Sequence, residues 1–145
     1  MFPDYNNESE YKNIYGGLYN WYTVNTGNLC PTGWSVPGEE EWKILIDYLG
    51  GESVAGGKLK GVENAHWFDP NTNADNSSGF TALPGGYRYH SNGYCGDLMA
   101  QGILWLATEY SDTKAMSCIL YSNSAGIQMF HGNKKNGYSV RCLKD

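Results

Sequence analysis

No stretch of this chain approaches the roughly 18 apolar residues of a membrane-spanning helix. No secretory leader stands at its start, where Met1-Phe-Pro-Asp4 reads as a trimmed beginning that says little about export. Basic runs are missing too. Lys134-Lys135 is only a pair, and the net charge is −5. Phosphate neutralisation drives most nucleic-acid affinity, so nucleic acid is not an expected partner. Cysteine is sparse at four residues, and none form a C-x-x-C pair, which argues against a zinc knuckle. No Ser/His/Asp arrangement or carboxylate pair can be located. His66, His90 and His131 are scattered without an assignable partner, so catalysis is not expected.

What is abundant points elsewhere. Glycine (19) and tyrosine (12) are both high in the 145 residues, while charged residues make up only 17%. Glycine serves tight turns, and tyrosine offers an apolar ring with a wet hydroxyl for contact surfaces. The length suits one domain. Residues 1–13 are polar and read as a flexible lead-in to a single domain over 14–145. Tyr15 to Val24 is aromatic and partly alternating, which predicts a strand. Cys30 to Pro37 is extended. Gly38 to Leu49 is the clearest helix, with Trp42, Leu45, Ile46 and Leu49 on one face and Gly50-Gly51 as its stop. A shorter helix is expected over Val54–Leu59. Val62 to Ser78 is a long loop, Phe80–Leu83 and Tyr87–His90 are short strand-like pieces, and Ser91–Gly93 is a turn. Four later runs, Ile103–Thr108, Ala115–Tyr121, Gly126–Phe130 and Tyr138–Leu143, predict an antiparallel meander. The fold class is therefore α+β, with short helices packed on small antiparallel sheets and long irregular loops.

Cys30, Cys95, Cys118 and Cys142 allow three complete pairings, or four free thiols. A Cys30–Cys142 bridge would tie the two ends of the fold and remove roughly 4–5 kcal/mol of unfolded-chain entropy. Cys95–Cys118 would then be the second bridge.

Several motifs resemble one family. Tyr19-Asn-Trp-Tyr22, Leu29-Cys-Pro-Thr-Gly-Trp-Ser-Val-Pro37, Glu41-Trp42, Gly56-Gly-Lys-Leu-Lys60, Gly79-Phe-Thr-Ala-Leu-Pro-Gly-Gly-Tyr-Arg88 and Gly137-Tyr-Ser-Val-Arg-Cys142 are similar to the Fibrobacter succinogenes major paralogous domain. The resemblance runs from about Tyr15 to the end. It implies a C-type-lectin-like fold, related to formylglycine-generating enzymes, in a bacterial surface or secreted protein, frequently a lipoprotein. The family's cysteines near both ends match Cys30 and Cys142. Where the family has tryptophan-serine-serine-threonine this chain has Trp105-Leu-Ala-Thr108, which implies altered exposed chemistry on that strand. The closing motif also resembles receptors diversified by retroelements, whose variable residues lie on C-terminal strands and loops.

These readings lead to an exported, extracellular or cell-surface module for ligand binding or adhesion, with a protein or glycan as partner. The alternatives are a structural accessory domain of a surface lipoprotein and an enzyme of the formylglycine-generating type. The expected binding face is Tyr110, Ser111, Asp112, Tyr121, Ser122, Asn123, Gln128, Phe130 and His131, rings mixed with small polar groups. The competing reading makes Tyr121 and Phe130 core. Asp69, Asn71, Asn73 and Asp75 place oxygens at every second position, as calcium loops do. The EF-hand glycine and glutamate are missing, as are the lectin sugar signatures, and Asn and Asp also serve turns. Calcium is the one candidate cofactor. Trp21, Trp34, Trp42 and Trp105 read as core. Trp67 lids the core or stacks on a sugar, and Arg88 anchors a carboxylate or carbonyl network.

Overall fold

The computed structural model describes residues 9–145. Two short helices come first, α1 (Ser9–Tyr15) and α2 (Trp21–Asn25). The stretch read as a flexible lead-in is thus helical from Ser9, and its first eight residues lie outside the described ones. The aromatic block read as a strand contains α2 and a bridge from Tyr19 to Tyr138. Asn20 decides this: its side-chain oxygen accepts from the Thr23 N–H at 3.0 Å, capping a helix that begins at Trp21.

Next come β1 (Trp34–Ser35), α3 (Glu39–Tyr48) and α4 (Glu52–Leu59). α3 stands where its periodicity puts it, and α4 begins two residues ahead of the expected Val54–Leu59. Gly38 has no side chain with which to cap α3. Thr108 Oγ1 fills the role from across the fold, accepting from the Glu39 N–H at 2.9 Å, while the Glu41 carboxylate accepts from the Gly38 N–H at 2.9 Å. Gly50 takes φ 105°, and the Gly51 N–H returns to the Ile46 carbonyl at 2.9 Å, which closes α3. In α4, Gly57 donates to the Ala125 carbonyl at 2.8 Å, so the glycine pair that weakens the helix lets it lie against a sheet turn.

The central sheet is β4 (Gln101–Glu109), β5 (Lys114–Tyr121) and β6 (Ile127–Asn133), antiparallel in that order. A hairpin of β2 (Tyr87–Arg88) and β3 (Cys95–Gly96) sits beside it, around the turn expected at Ser91–Gly93, and β7 (Leu143–Lys144) pairs with β1. The predicted four-strand meander therefore has three strands. The fourth run leaves it: Ser139 bridges Leu104 in parallel, and the chain then crosses to β1. Phe80–Leu83 forms only a bridge, Ala82 to Lys60.

Each sheet face has its own core. Trp42, Ile46, Leu49 and Leu59 from the helices meet Leu104, Leu106, Leu120 and Ile127 on one side. Trp21, Val24 and Tyr138 meet Ile103, Trp105 and Ile119 on the other. Burying such side chains is worth about 1.5–3 kcal/mol each. Leu106 is fully buried, so the expected change of exposed chemistry at Leu106-Ala107 is confined to Ala107, which is exposed. Trp34, read as core, is 43% exposed, because β1 is a two-residue strand at the rim. Trp67 is buried with its indole N–H on the Ala82 carbonyl at 2.9 Å, as a core lid and not a sugar platform.

Gly132 makes room for Tyr138. A Cβ there would lie 2.6 Å from the Tyr138 ring, which is itself held 4.4 Å from Trp105 and hydrogen-bonded by Asn136. The ring cannot swing away. Gly132→Ala is expected to lower unfolding free energy by about 2 kcal/mol through overpacking. Urea denaturation checks this; a loss near zero would show that the ring can move.

Cys30 and Cys142 are bonded, with their Cα atoms 5.9 Å apart and 112 positions apart in sequence. Cys95 and Cys118 are both free, which corrects the expected second bridge. Cys118 lies on β5 in the helix-side core, where burial pushes its thiol up. Cys95 lies on the β2–β3 hairpin, 3.9 Å from the Arg88 guanidinium. They belong to different parts of the fold.

Candidate functional site

Register decides which residues share the α2 side of the sheet. Gln101 faces Tyr121, Ile103 faces Ile119, and Trp105 faces Ser117. On the other flank Ile119 faces Gln128, and Ser117 faces Phe130. Alternation puts all of them on one face. Trp21, Val24 and Tyr138 cover its Trp105 end. The Gln101–Tyr121–Gln128 end is open. There the β2 tyrosine Tyr87 and its neighbour Tyr89 form a side wall, their rings meeting edge to face at 5.6 Å. The result is a cleft of about 380 Å³, with Ile103 and Ile119 as floor and Tyr87, Tyr89, Tyr121, Phe130 and Tyr138 as walls.

The polar groups fall into two sets. Asn136 is partnered at both ends of its amide: it donates to the Tyr138 hydroxyl at 3.1 Å, and its oxygen meets His90 Nδ1 at 2.8 Å. Burial holds the Tyr138 and Tyr87 phenols above the usual tyrosine range, and the Asp97 carboxylate adds to the shift at Tyr87. The other set is free. Among the described residues the side-chain amides of Gln101 and Gln128 have no hydrogen-bond partner, nor do the hydroxyls of Tyr87, Tyr89 and Tyr121. Among the described residues no carboxylate, histidine, lysine, arginine or cysteine lines the cleft. Its chemistry is rings, amides and phenols.

The family model of the Fibrobacter succinogenes major domain matches residues 2–144. The chain belongs to this family. No curated protein and no solved structure matches it. The Fibrobacter succinogenes major domain thus extends further toward the N-terminus than the motifs indicate, and both the cleft and the Cys30–Cys142 bond lie within it.

Within this Fibrobacter succinogenes major domain, the nine residues expected on one binding face separate. Tyr121, Gln128 and Phe130 line the cleft. Phe130 also packs against the core, so both readings of it hold in part. His131 follows Phe130 on the same strand and must face the other side; it stacks on Tyr110 with ring centroids 4.0 Å apart. Ser111 and Asp112 form the β4–β5 turn, where the Asp112 carbonyl accepts from the buried Lys134 ammonium at 3.1 Å. Ser122 and Asn123 lie in the β5–β6 turn, and Ser122 is buried with its carbonyl on the Thr72 N–H at 2.8 Å. The cleft adds Tyr87, Tyr89, Gln101 and Tyr138. The alternation of Tyr87-Arg-Tyr89 is the signal that could have found two of them.

The loop carrying Asp69, Asn71, Asn73 and Asp75 is built from turns. Asn71 and Asn73 sit at φ 41° and 51°. The Asn71 amide donates to the Gly61 carbonyl at 3.2 Å. Asp75 accepts from the Ser77 N–H at 2.8 Å, a hydrogen bond that holds its carboxyl below the usual range. Among the described residues no three of His, Cys, Asp or Glu are placed to hold a metal ion. What binds the loop to the sheet is an ammonium. Lys60 is fully buried and donates to the carbonyls of Thr72 (3.1 Å), Tyr121 (3.0 Å) and Ser124 (2.8 Å).

Proposed function

We propose that this chain is an exported, C-type-lectin-like binding module that captures a ligand in the aromatic cleft at the open end of its sheet. The observation that carries this reading is the set of unpartnered amides and phenols set among rings on a rigid strand framework. A buried polar group without a partner is costly, and the cleft keeps these groups accessible to one. The rings supply contact area at low entropy cost, since they stand on strands or on the hairpin beside them. Among the described residues the lining holds no carboxylate, histidine, lysine or cysteine, which supports binding in preference to catalysis.

The disulfide supports an oxidising compartment, hence a secreted or cell-surface setting. Among the described residues no helix is long and apolar enough to cross a membrane. An adhesion role follows if the module is anchored by neighbouring chain.

Tyr89→Ala and Gln128→Ala test the site. Both side chains are exposed, so the melting temperature is expected to stay within about 3 °C of the parent. Adhesion of the labelled chain to intact bacterial and host cells is expected to fall in the double variant and to persist in Tyr110→Ala. Equal adhesion by all three proteins would point to the accessory-domain alternative, in which the cleft has no ligand.

A further inference from the structure

We infer that the ligand class of this cleft is an uncharged glycan, held without a metal ion. The inference rests on the binding reading above and narrows it. Its first ground is charge. Among the described residues no ionised side chain lines the cleft, so none of them offsets the desolvation of a carboxylate, phosphate or ammonium on a ligand. An acidic sugar, a phosphopeptide or a basic peptide would enter at a penalty.

The second ground is the pairing of polar groups. Gln101 and Gln128 each present one acceptor and two donors, with no partner among the described residues. They stand on the two outer strands, with Tyr121 on the central strand between them: Tyr121 faces Gln101, and Gln128 lies opposite Ile119. Vicinal hydroxyls offer a matching donor and acceptor to a primary amide. The phenols of Tyr87, Tyr89 and Tyr121 add further hydroxyl partners around the same space.

The third ground is the ring faces. Aromatic faces are electron-rich, and the C–H face of a pyranose is its complement. Tyr89 is half-exposed, and Tyr87 meets it at 5.6 Å, so one ring braces the other. An extended peptide would instead call for free backbone edges. β5, the central strand beneath the cleft, has both edges paired, to β4 and β6, so a segment lying over the middle of this face finds no ladder to join. Among the described residues no carboxylate lines the cleft to hold a cation there, which leaves glycan recognition to neutral side chains.

The experiment titrates the intact, oxidised chain with neutral probes (cello-, xylo- and manno-oligosaccharides) and with charged ones (galacturonate and sulfated oligosaccharides), in EDTA. At least one neutral series is expected to bind, with affinity unchanged by EDTA and changed less than twofold between low and about 0.5 M salt. Tyr89→Ala and Gln128→Ala are each expected to weaken it by about tenfold, one lost ring contact or hydrogen bond each; Tyr110→Ala should leave it intact. Binding confined to charged probes, binding lost in EDTA, or no binding to any probe overturns the inference. A random peptide library screened on the same proteins separates the two levels. Peptides whose capture needs Tyr89 and Gln128 would keep the cleft as the binding site and remove the glycan. Glycan binding that ignores both variants would remove the cleft itself.

Discussion

A Cys30→Ser, Cys142→Ser double variant is expected to unfold with about 5 kcal/mol less free energy than the oxidised parent. The estimate comes from the 112 residues the bond spans, since a longer closed loop removes more freedom from the unfolded chain. The native contacts that would remain at that place are few. β1 and β7 pair over two residues each, Trp34 with Lys144 and Ser35 with Leu143. Ser35 adds a hydrogen bond to Asp145 at 2.6 Å, and the Asp145 N–H reaches the Gly33 carbonyl at 3.0 Å. A pair of two-residue strands does not hold itself in water. The covalent bond is what keeps these ends together. Domains of this size have about 5–15 kcal/mol in total, so the variant should sit near the edge of folding. Reducing agent on the parent should reproduce the loss. Alkylation should find Cys95 in the native state and Cys118 only on unfolding, because Cys118 is fully buried. A loss below about 1 kcal/mol would show that the two-residue pairing suffices, against the loop-entropy account.

The parts of this fold that are legible in sequence are those set by local periodicity. α3 declares itself through Trp42, Leu45, Ile46 and Leu49, and through the glycines that end it. β4, β5 and β6 declare themselves through apolar runs between turns. Aromatic residues at Tyr15 to Val24 mislead because alternation is a weak signal beside a good cap, and Asn20 supplies the cap. The last run misleads because Ser139 joins β4 in parallel, a long-range pairing that nothing within the run encodes.

The cleft is half legible for a similar reason. Tyr121, Gln128 and Phe130 sit on strands of one meander, and their shared face follows from register. Phe130 and His131 could never share a face, since adjacent strand residues point apart. Tyr87 and Tyr89 arrive from a hairpin placed by tertiary contacts, and Gln101 stands just ahead of the apolar run that marks β4. Thr108 shows the converse. Its place in the strand motif is visible, but its task, capping α3 from a distance, appears only when the helix and strand meet.

Lys60→Met is expected to lower stability at neutral pH by about 3 kcal/mol, because three partly buried carbonyls lose their donor. Methionine keeps the volume of the stem under Trp67 but returns nothing to Thr72, Tyr121 or Ser124. The loss stays below the sum of three charge-assisted hydrogen bonds because the ammonium is itself penalised. Burial pushes its pKa from 10.5 down to about 8. That shift gives the lysine a pH signature. Between about pH 8 and 10.5 the unfolded chain still carries a proton that the folded chain has released, so this group's contribution to stability rises with pH across that window. Below pH 8 both states are protonated and the penalty is present in full. Cys118 and Tyr138 act oppositely, since burial holds both above their free values and their ionisation favours the unfolded chain. They are common to parent and variant, so the difference between the two stability profiles isolates the lysine. That gap is expected to widen in favour of the parent from pH 8 upward. A flat or narrowing gap would mean that the three carbonyls hold the ammonium charged throughout. A variant as stable as the parent at pH 7, with hydrogen exchange at Thr72 and Ser122 unchanged, would mean that the loop is held by its own turns and not by the lysine.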